Sequence, residues 1–528
     1  MNIIHTTITL ENGGIVAYND QSKDLTYQGN TLTFGATNAC KIFETILYND
    51  RKFTSKKFIN DMFVGDDETR AATEIGKLRK MIRNRLKLTT QVIVATRGRG
   101  YRINGNIAFE TITDDLTEHY KQVQMYEQIG YDNIASLINA LVVTYPSLGK
   151  FFYQTEAGQY LPFFKMPVTP SFPITIDNNL PSELPLRDDP IYTQRRSIGK
   201  KIYPGLIFRL TQASADTGWH LARTNYTHLI ESCDYLQARI FGGWGKIIAQ
   251  DNPDKELQKD NFLKRSPYIK EWLSRIDQIL NGDFTHYLAG VAFNTPIFCI
   301  EPAGSIKLLL AEGSALKQAS GGKYHVCPAG MLEFSKADKE ATELSLATFQ
   351  TYAAKECLEE TMRYIVTNDI ERIIKTFDNS ADREEGDIFS AQTIRYMIEH
   401  DLLKNLPADV SPTILQKCLS LDPTKQPVFA ICDAFVLRPE IIMPLYIDER
   451  PEVVTNWENE KITELTISNP QGITNLANDL HKWAAPGIAA AYLGAKHWFE
   501  TKEGANKFQM SKHRDTTYHN LQHPRTSN

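Results

Sequence analysis

The most regular pattern of apolar and polar positions lies between residues 66 and 103. Four apolar residues recur there at intervals of three and four, the spacing of a buried helical stripe: Ile75, Leu78, Ile82 and Leu86. The opposite side of the same helix carries polar and basic side chains: Arg70, Thr73, Lys77, Lys80 and Asn84. The pattern therefore predicts an amphipathic helix with one buried face and one basic face.

A β-hairpin is predicted directly after this helix. Residues 92–94 have strand propensity, and Gly98 and Gly100 permit a tight turn. The turn carries Arg97 and Arg99 outward, and Arg102 follows on the returning strand. A basic helix beside such a hairpin is the arrangement with which a winged helix holds DNA.

Short strands precede the helix. Four segments of residues 1–35 have strand character: Ile3–Leu10, Gly14–Tyr18, Leu25–Tyr27 and Leu32–Phe34. A further helix is predicted from Asn38 to Tyr48. No receiver-like segment comes before these strands in the sequence, so we expect a regulatory signal to come from the C-terminal side.

Residues 30–105 resemble the effector domain of OmpR/PhoB-type transcription regulators. Four family motifs occur in order along this stretch: Asn30–Phe34 with its following helix, Phe53–Phe63, Ile75–Lys80 and Thr96–Arg102. The third is similar to the family's I-x-x-L-R-K and the fourth to its V-R-G-x-G-Y-R. Glu74 stands where the family often has His, and this change bears on which bases are read.

The resemblance implies a winged helix that binds double-stranded DNA as a homodimer. Four residues of the recognition helix would meet bases or phosphates: Arg70, Thr73, Lys77 and Lys80. Arg97, Arg99 and Arg102 on the wing would reach the DNA backbone or the minor groove.

Positive charge is concentrated in the same part of the chain. Residues 51–105 contain 14 Lys and Arg against 5 Asp and Glu, whereas the whole chain has 58 against 63. A basic patch in an otherwise acidic protein is the electrostatic footprint of a nucleic-acid surface. The alternative is that the basic helix is only a solvated face.

The order of predicted strands and helices along the chain indicates an α+β multidomain protein, with a larger α/β domain after the winged helix. Its predicted domains are 1–105, 106–190, 191–450 and 451–528. Residues 106–190 read as a helix over 113–143 and then an extended connector rich in Pro and aromatic residues. Residues 191–450 alternate strands with helices, and 451–528 form a helical extension with a polar tail.

Composition indicates a globular, cytoplasmic protein. Hydrophobic residues make up 42% of the 528 residues, which is enough for sizeable cores. No apolar run approaches the roughly 20 residues that span a membrane. The seven cysteines lack a Cys-x-x-Cys pair, so they predict reduced, mostly buried thiols and argue against a zinc site.

Three carboxylates are predicted to share one face of a later helix. Glu356, Glu359 and Glu360 stand at i, i+3 and i+4, so their charges repel one another unless a cation neutralises them. Oxygen ligands of this kind are what Mg²⁺ prefers. They are therefore candidate metal ligands and catalytic residues; the alternative is a solvated face opposite Cys357 and Leu358.

Together with His325–Glu333, this helix resembles the Nudix hydrolase signature, in which a glycine loop and a Glu-rich helix bind a metal and a diphosphate. Gly330 would be the loop glycine and a ligand-binding residue. Lys355-Glu356 would stand for the signature's Arg-Glu, and Glu359-Glu360 for its metal-binding pair. The resemblance implies a Nudix-like α/β/α fold.

Three departures from that signature leave hydrolase activity open. Gly330 precedes Lys355 by 25 positions, a longer interval than in the signature. Lys355 lacks the planar fork of an arginine, and Met362 stands where the closing glycine belongs.

Two further segments are candidates for ligand binding. Tyr192–Lys201 reads as a basic strand-to-turn segment in which Arg195 and Arg196 would hold phosphates. Its alternative is a basic edge strand. Phe241–Gly245 is either a ligand-contacting turn or a packing corner, and neither segment matches a phosphate-binding glycine motif.

These features lead to three functional hypotheses. The first is a one-component transcription regulator whose Nudix-like domain senses a nucleotide-derived metabolite and shifts the DNA-binding equilibrium. The second is an active Mg²⁺-dependent pyrophosphohydrolase of nucleoside-diphosphate derivatives, tethered to a DNA-binding domain. The third is a non-catalytic interaction or oligomerisation protein.

Overall fold

The computed structural model describes the greater part of the chain. The described residues are 2–10, 12–19, 22–34, 38–47, 70–96, 100–112, 114–177, 180, 191–198, 200, 206–302, 304–313, 322–333, 341–361, 412–448, 453 and 459–501. They belong to two compact units. The first contains Met1–Lys121 and the segment from Tyr192, and the second contains Gln122–Ile191 and most of the chain after Leu206.

The first unit combines an antiparallel sheet with helices and a hairpin. Its elements are β1 (Asn2–Leu10), β2 (Ile15–Asn19), β3 (Asp24–Tyr27), β4 (Asn30–Thr33), α1 (Asn38–Leu47), α2 (Arg70–Leu86), β5 (Ile93–Thr96), β6 (Gly100–Ile103), β7 (Gly105–Ile112) and the start of α3 (Asp114–Asp132). The sheet order is β4-β3-β2-β1-β7, and β5 pairs only with β6 among the described strands. The predicted early strands, both helices and the hairpin are confirmed, whereas the Phe53–Phe63 motif lies outside the described residues.

The apolar stripe of α2 packs into the core of this unit. Ile75, Leu78, Ile82 and Leu86 are each no more than 2% exposed. The helix contacts α1 and β4. On its opposite side, Thr73, Lys77, Lys80 and Asn84 are exposed. The predicted division of this helix into a buried and a polar face is therefore confirmed.

The second unit is a mixed α+β assembly. The elements that follow α3 are α4 (Ile134–Thr144), β8 (Phe152–Gln154), β9 (Tyr160–Lys165), β10 (Ile174–Ile176), α5 (Ile191–Ser197), β11 (Leu206–Ser214), β12 (Gly218–Asn225), α6 (Tyr226–Leu229), α7 (Tyr235–Ala249), α8 (Lys255–Arg265), α9 (Pro267–Leu280), β13 (Ala292–Asn294), β14 (Ile297–Ile300), β15 (Ile306–Gly313), β16 (Tyr324–Val326), β17 (Ala329–Met331), β18 (Glu343–Leu344), α10 (Leu346–Thr361), α11 (Pro412–Leu419), β19 (Phe429–Asp433), β20 (Pro439–Ile442), β21 (Leu445–Ile447), β22 (Asn459–Ile467), α12 (Pro470–Asn475) and α13 (Ala485–Glu500). Of these elements, α5 is included only for chain order, because Tyr192–Gly205 belongs to the first unit. The sheets of the second unit have the orders β17-β13-β20-β19-β9-β8, β16-β15-β14-β21 with β22 beside β15, and β11-β12-β10-β18. The predicted α+β class is confirmed.

The extended connector expected over 144–190 is wrong for residues 152–176. This stretch supplies β8 and β9 to one sheet and β10 to another. Leu161, Phe163 and Phe164 of β9 are all at most 3% exposed, so the strand is covered on both faces. Pro162 has no N–H to donate, and it lies where the pairing of β9 with β8 is irregular, between the pairs Gln154–Tyr160 and Phe152–Phe164.

The segment Phe241–Gly245 is neither a turn nor a corner, because it lies inside α7. A Cβ atom on Gly245 would lie 1.9 Å from the Tyr126 carbonyl oxygen, and one on Gly130 would lie 2.0 Å from the Phe241 carbonyl oxygen. These glycines therefore let α3 and α7 pack backbone against backbone.

Two further sequence expectations concern the whole chain. All seven cysteines are buried and free, which confirms the predicted buried thiols. Among the described residues, no helix combines the length and apolarity that a membrane crossing requires.

The contact between α3 and α7 leads to a stability prediction. Gly245→Ala should lower the free energy of unfolding of the full chain by about 2 kcal/mol, because two backbones must separate to admit a methyl group. Urea unfolding followed by tryptophan fluorescence measures this change. Gly242→Ala is the matched control, since the nearest atom to its Cβ is Glu127 Cγ at 3.6 Å. Equal effects of the two substitutions would contradict the close helix contact.

Candidate functional site

The exposed side of α2 and the residue that follows the helix form a basic surface: Lys77, Lys80, Arg83, Arg85 and Lys87. The Lys77 side chain is 69% exposed, and its ammonium lies 2.9 Å from Glu74 Oε1, one helical turn earlier. Exposed pairs of this kind are weak, so Lys77 remains available to another anion. The helix holds its charges outward because the opposite stripe is fixed in the core.

Sequence reasoning missed three members of this basic surface: Arg83, Arg85 and Lys87. For the two arginines the signal was present in the periodicity, because every basic position of the helix off the apolar stripe becomes a candidate. Arg83 also lines a small cavity with Gln91 and Val92. The basic surface therefore adjoins the start of the hairpin.

The hairpin contacts α1 through β6, and its first strand begins beside α2. Ile93 and Ile103 are paired in register and buried, so the hairpin is tied to the core at its base. Arg102 is half-buried, and its Nη1 donates to the Ile103 carbonyl at 3.1 Å. Arg97 and Arg99 lie outside the described residues, as does the side chain of Arg70.

A second site joins β17 to α10 in the larger unit. Gly330 lies in β17, paired with Phe293, so its expected place in a loop is wrong. A Cβ atom on Gly330 would lie 2.2 Å from Glu356 Cδ, which means that this carboxyl group rests directly on the strand. Glu360 Oε2 accepts a hydrogen bond from the Ala329 N–H at 2.8 Å.

Lys355 belongs to the same contact region. Its side chain is 3% exposed, and its ammonium lies 3.1 Å from Glu333 Oε1. A charge buried to this degree needs such a partner, because desolvation of an unpaired ammonium is costly. The structure thus brings together four of the residues singled out in the sequence: Gly330, Lys355, Glu356 and Glu360.

The solvated-face alternative for the glutamates is wrong for Glu360, which is 4% exposed. Glu356 is half-buried, and the side chain of Glu359 lies outside the description. The described residues contain no group of three His, Cys, Asp or Glu side chains that could hold a metal ion. One oxygen of Glu360 accepts from the Ala329 N–H, and a Mg²⁺ site at these glutamates stays a prediction.

The segment Tyr192–Lys201 begins as a helix, so the predicted strand-to-turn is wrong. Ile191 and Tyr192 are at most 3% exposed, and burial of this apolar pair fixes the first turn of α5. Arg195 is half-buried, and nothing is described of the Arg196 side chain. Phosphate binding by these arginines stays a prediction.

A buried charged cluster near β19 and β20 was not found from the sequence. Arg438 Nε lies 2.9 Å from Glu440 Oε1, and Glu440 Oε2 accepts from Asn294 Nδ2 at 2.9 Å. Burial raises the pKa of Glu440, and Arg438 acts in the opposite direction. Burial also raises the pKa of Asp433, whose Oδ1 accepts from the Phe435 and Val436 N–H groups. These contacts connect β13, β20 and the β19–β20 turn, so the cluster has a structural role.

Comparisons with known proteins are sparse for this chain. No family model matches it, and no curated protein matches it. A solved structure of the DNA-binding domain of E. coli CadC is similar to 21% of this chain and is itself covered to 98%, with 12% sequence identity and a TM-score of 0.18. At that score, the functional assignment depends on the geometry of α2 and the hairpin.

Because Gly330 and Glu356 are in contact, substitutions at these two positions should have non-additive effects on the free energy of unfolding. Gly330→Ala should lower the free energy of unfolding by about 1–3 kcal/mol, because the added methyl displaces the Glu356 carboxyl group. In a Glu356→Ala background the same substitution should cost at least about 1 kcal/mol less. A double-mutant cycle in urea measures the difference, and equal costs in both backgrounds would refute the contact.

Proposed function

We propose that this chain binds double-stranded DNA through α2 and the β5–β6 hairpin, used as a winged helix. One observation carries the proposal: α2 buries an apolar stripe in its own unit while the basic surface on its other side is exposed. A helix of this kind fits the major groove, and Lys and Arg side chains neutralise the phosphates on either side.

The roles of individual residues follow from their places on α2. Thr73 and Lys77 lie opposite the apolar stripe and are assigned to bases or phosphates. Lys80, like Arg70 at the start of the helix, is assigned to phosphates or bases. Arg97, Arg99 and Arg102 are assigned to the DNA backbone or the minor groove.

The wider proposal is a one-component transcription regulator, in which the second unit senses a nucleotide-derived metabolite. The Glu-rich contact of α10 with β17 is the observation that supports this assignment. A ligand regulates DNA binding only when it binds one conformation more tightly than another. A homodimer on repeated DNA sites belongs to the same proposal.

An active pyrophosphohydrolase is the second candidate. The observation that favours it is the convergence of Gly330, Glu356 and Glu360 at one strand–helix contact. Glu359, beside Glu360 on α10, completes the carboxylate set that the signature requires. No reaction step is assigned through Mg²⁺, because the described carboxylates are engaged within the protein.

Removal of charge from α2 tests DNA binding. Lys77→Ala with Lys80→Ala should weaken binding to short random-sequence duplexes by about tenfold and reduce the slope of log affinity against log salt by about 2, because two phosphate contacts are lost. Fluorescence anisotropy over a salt series measures both quantities. Lys264→Ala is the matched control, an exposed lysine of the second unit that also pairs with a neighbouring acid. An unchanged slope in the α2 variant would contradict these contacts.

A ligand panel separates sensing from catalysis. Nucleoside-diphosphate derivatives with Mg²⁺ should raise the melting temperature of the full chain by ligand linkage, without release of phosphate-containing products. Turnover that disappears in Glu359→Gln would make the second unit a hydrolase instead. The absence of both stabilisation and turnover would remove the nucleotide ligand from the proposal and leave DNA binding alone.

A further inference from the structure

Gly76 is out of place in α2 on energetic grounds. Glycine inside a helix is less favourable than alanine, because its backbone loses more conformational freedom on folding. Gly76 nevertheless is the seventh residue of a 17-residue helix. It is exposed, and a Cβ atom placed on it would meet no heavy atom within 4 Å. Nothing in the described part of the protein therefore requires the missing side chain.

Two other helical glycines of this chain differ in that respect. Gly130 and Gly245 stand where two helix backbones touch, and a methyl group on either would overlap a carbonyl oxygen. Their cost to the helix is offset by this packing. Among the described residues of its own unit, none gives Gly76 such compensation.

The neighbours of Gly76 on the surface of α2 indicate which contact could offset the cost of a glycine in this helix. Thr73 is three residues earlier, Lys80 four later and Arg83 seven later, so all three are its neighbours on the helix surface. Each of them is exposed. Gly76 is thus a bare patch of backbone within the basic surface, on the side of α2 where Arg83 adjoins the start of the hairpin.

We infer that Gly76 is the point at which α2 comes closest to DNA and thereby sets how deeply the helix enters the major groove. The inference rests on the proposed DNA binding and adds a positioning residue to it. Without a side chain at this position, the helix backbone reaches base edges that a methyl group would hold away. Lys80 and Arg83, on either side, then reach the phosphates of the two groove walls.

The experiment compares wild type with Gly76→Ala and Gly76→Leu in the full chain. The probes are duplexes selected by the wild-type protein from a random-sequence pool. Gly76→Ala should raise the melting temperature of its unit by roughly 2–4 °C through better helix propensity. It should also weaken binding to the selected duplexes by about tenfold, and Gly76→Leu should weaken binding at least as much.

Gly242→Ala is the control, because it makes the same change inside α7 with only an ordinary contact at 3.6 Å. It should leave affinity unchanged. Wild-type affinity in both Gly76 variants would overturn the inference and leave the proposed function intact. A lower melting temperature in Gly76→Ala would assign the glycine to the fold and would also overturn the inference. A wild-type protein that selects no duplex would remove the proposed function and the inference together.

Discussion

The burial of one stripe of α2 is the constraint on which the functional reading of this protein depends. Ile75, Leu78, Ile82 and Leu86 lock the rotation of the helix about its axis, because turning it would expose them to water. With the rotation fixed, the basic surface has only one direction in which to face. The hydrophobic core thus determines which charges a polyanion meets.

In the second unit, close contacts at glycine residues fix the positions of helices and strands. Gly130 and Gly245 allow α3 to touch α7, and Gly330 allows the Glu356 carboxyl group to rest on β17. Interiors are close-packed, so these contacts leave little room for adjustment. The carboxylates of α10 are consequently tied to the strand beside them, which is a structural use of residues that the sequence suggested for metal binding.

Periodicity predicted the local elements well, and contacts distant in the sequence account for what it missed. The four early strands, α1, α2 and the hairpin follow from short-range alternation and helical spacing. The stretch 152–176 was misread because its Pro and aromatic residues have the composition of a connector, and only burial between other strands makes β9 part of a sheet. Phe241–Gly245 was misread for a related reason, since three glycines signal a turn until a second helix is known to lie against them. The ion pair of Lys355 with Glu333 joins residues that are distant in the sequence, so no short-range pattern predicts it.

The central claim is that the exposed side of α2 docks on double-stranded DNA. An iron–EDTA chelate attached to Asn84→Cys tests it most directly, because all seven native cysteines are buried and the label is confined to α2. If α2 docks in this way, cleavage of a bound duplex is localised around the groove that α2 occupies. A bound duplex that the chelate leaves uncut would contradict it.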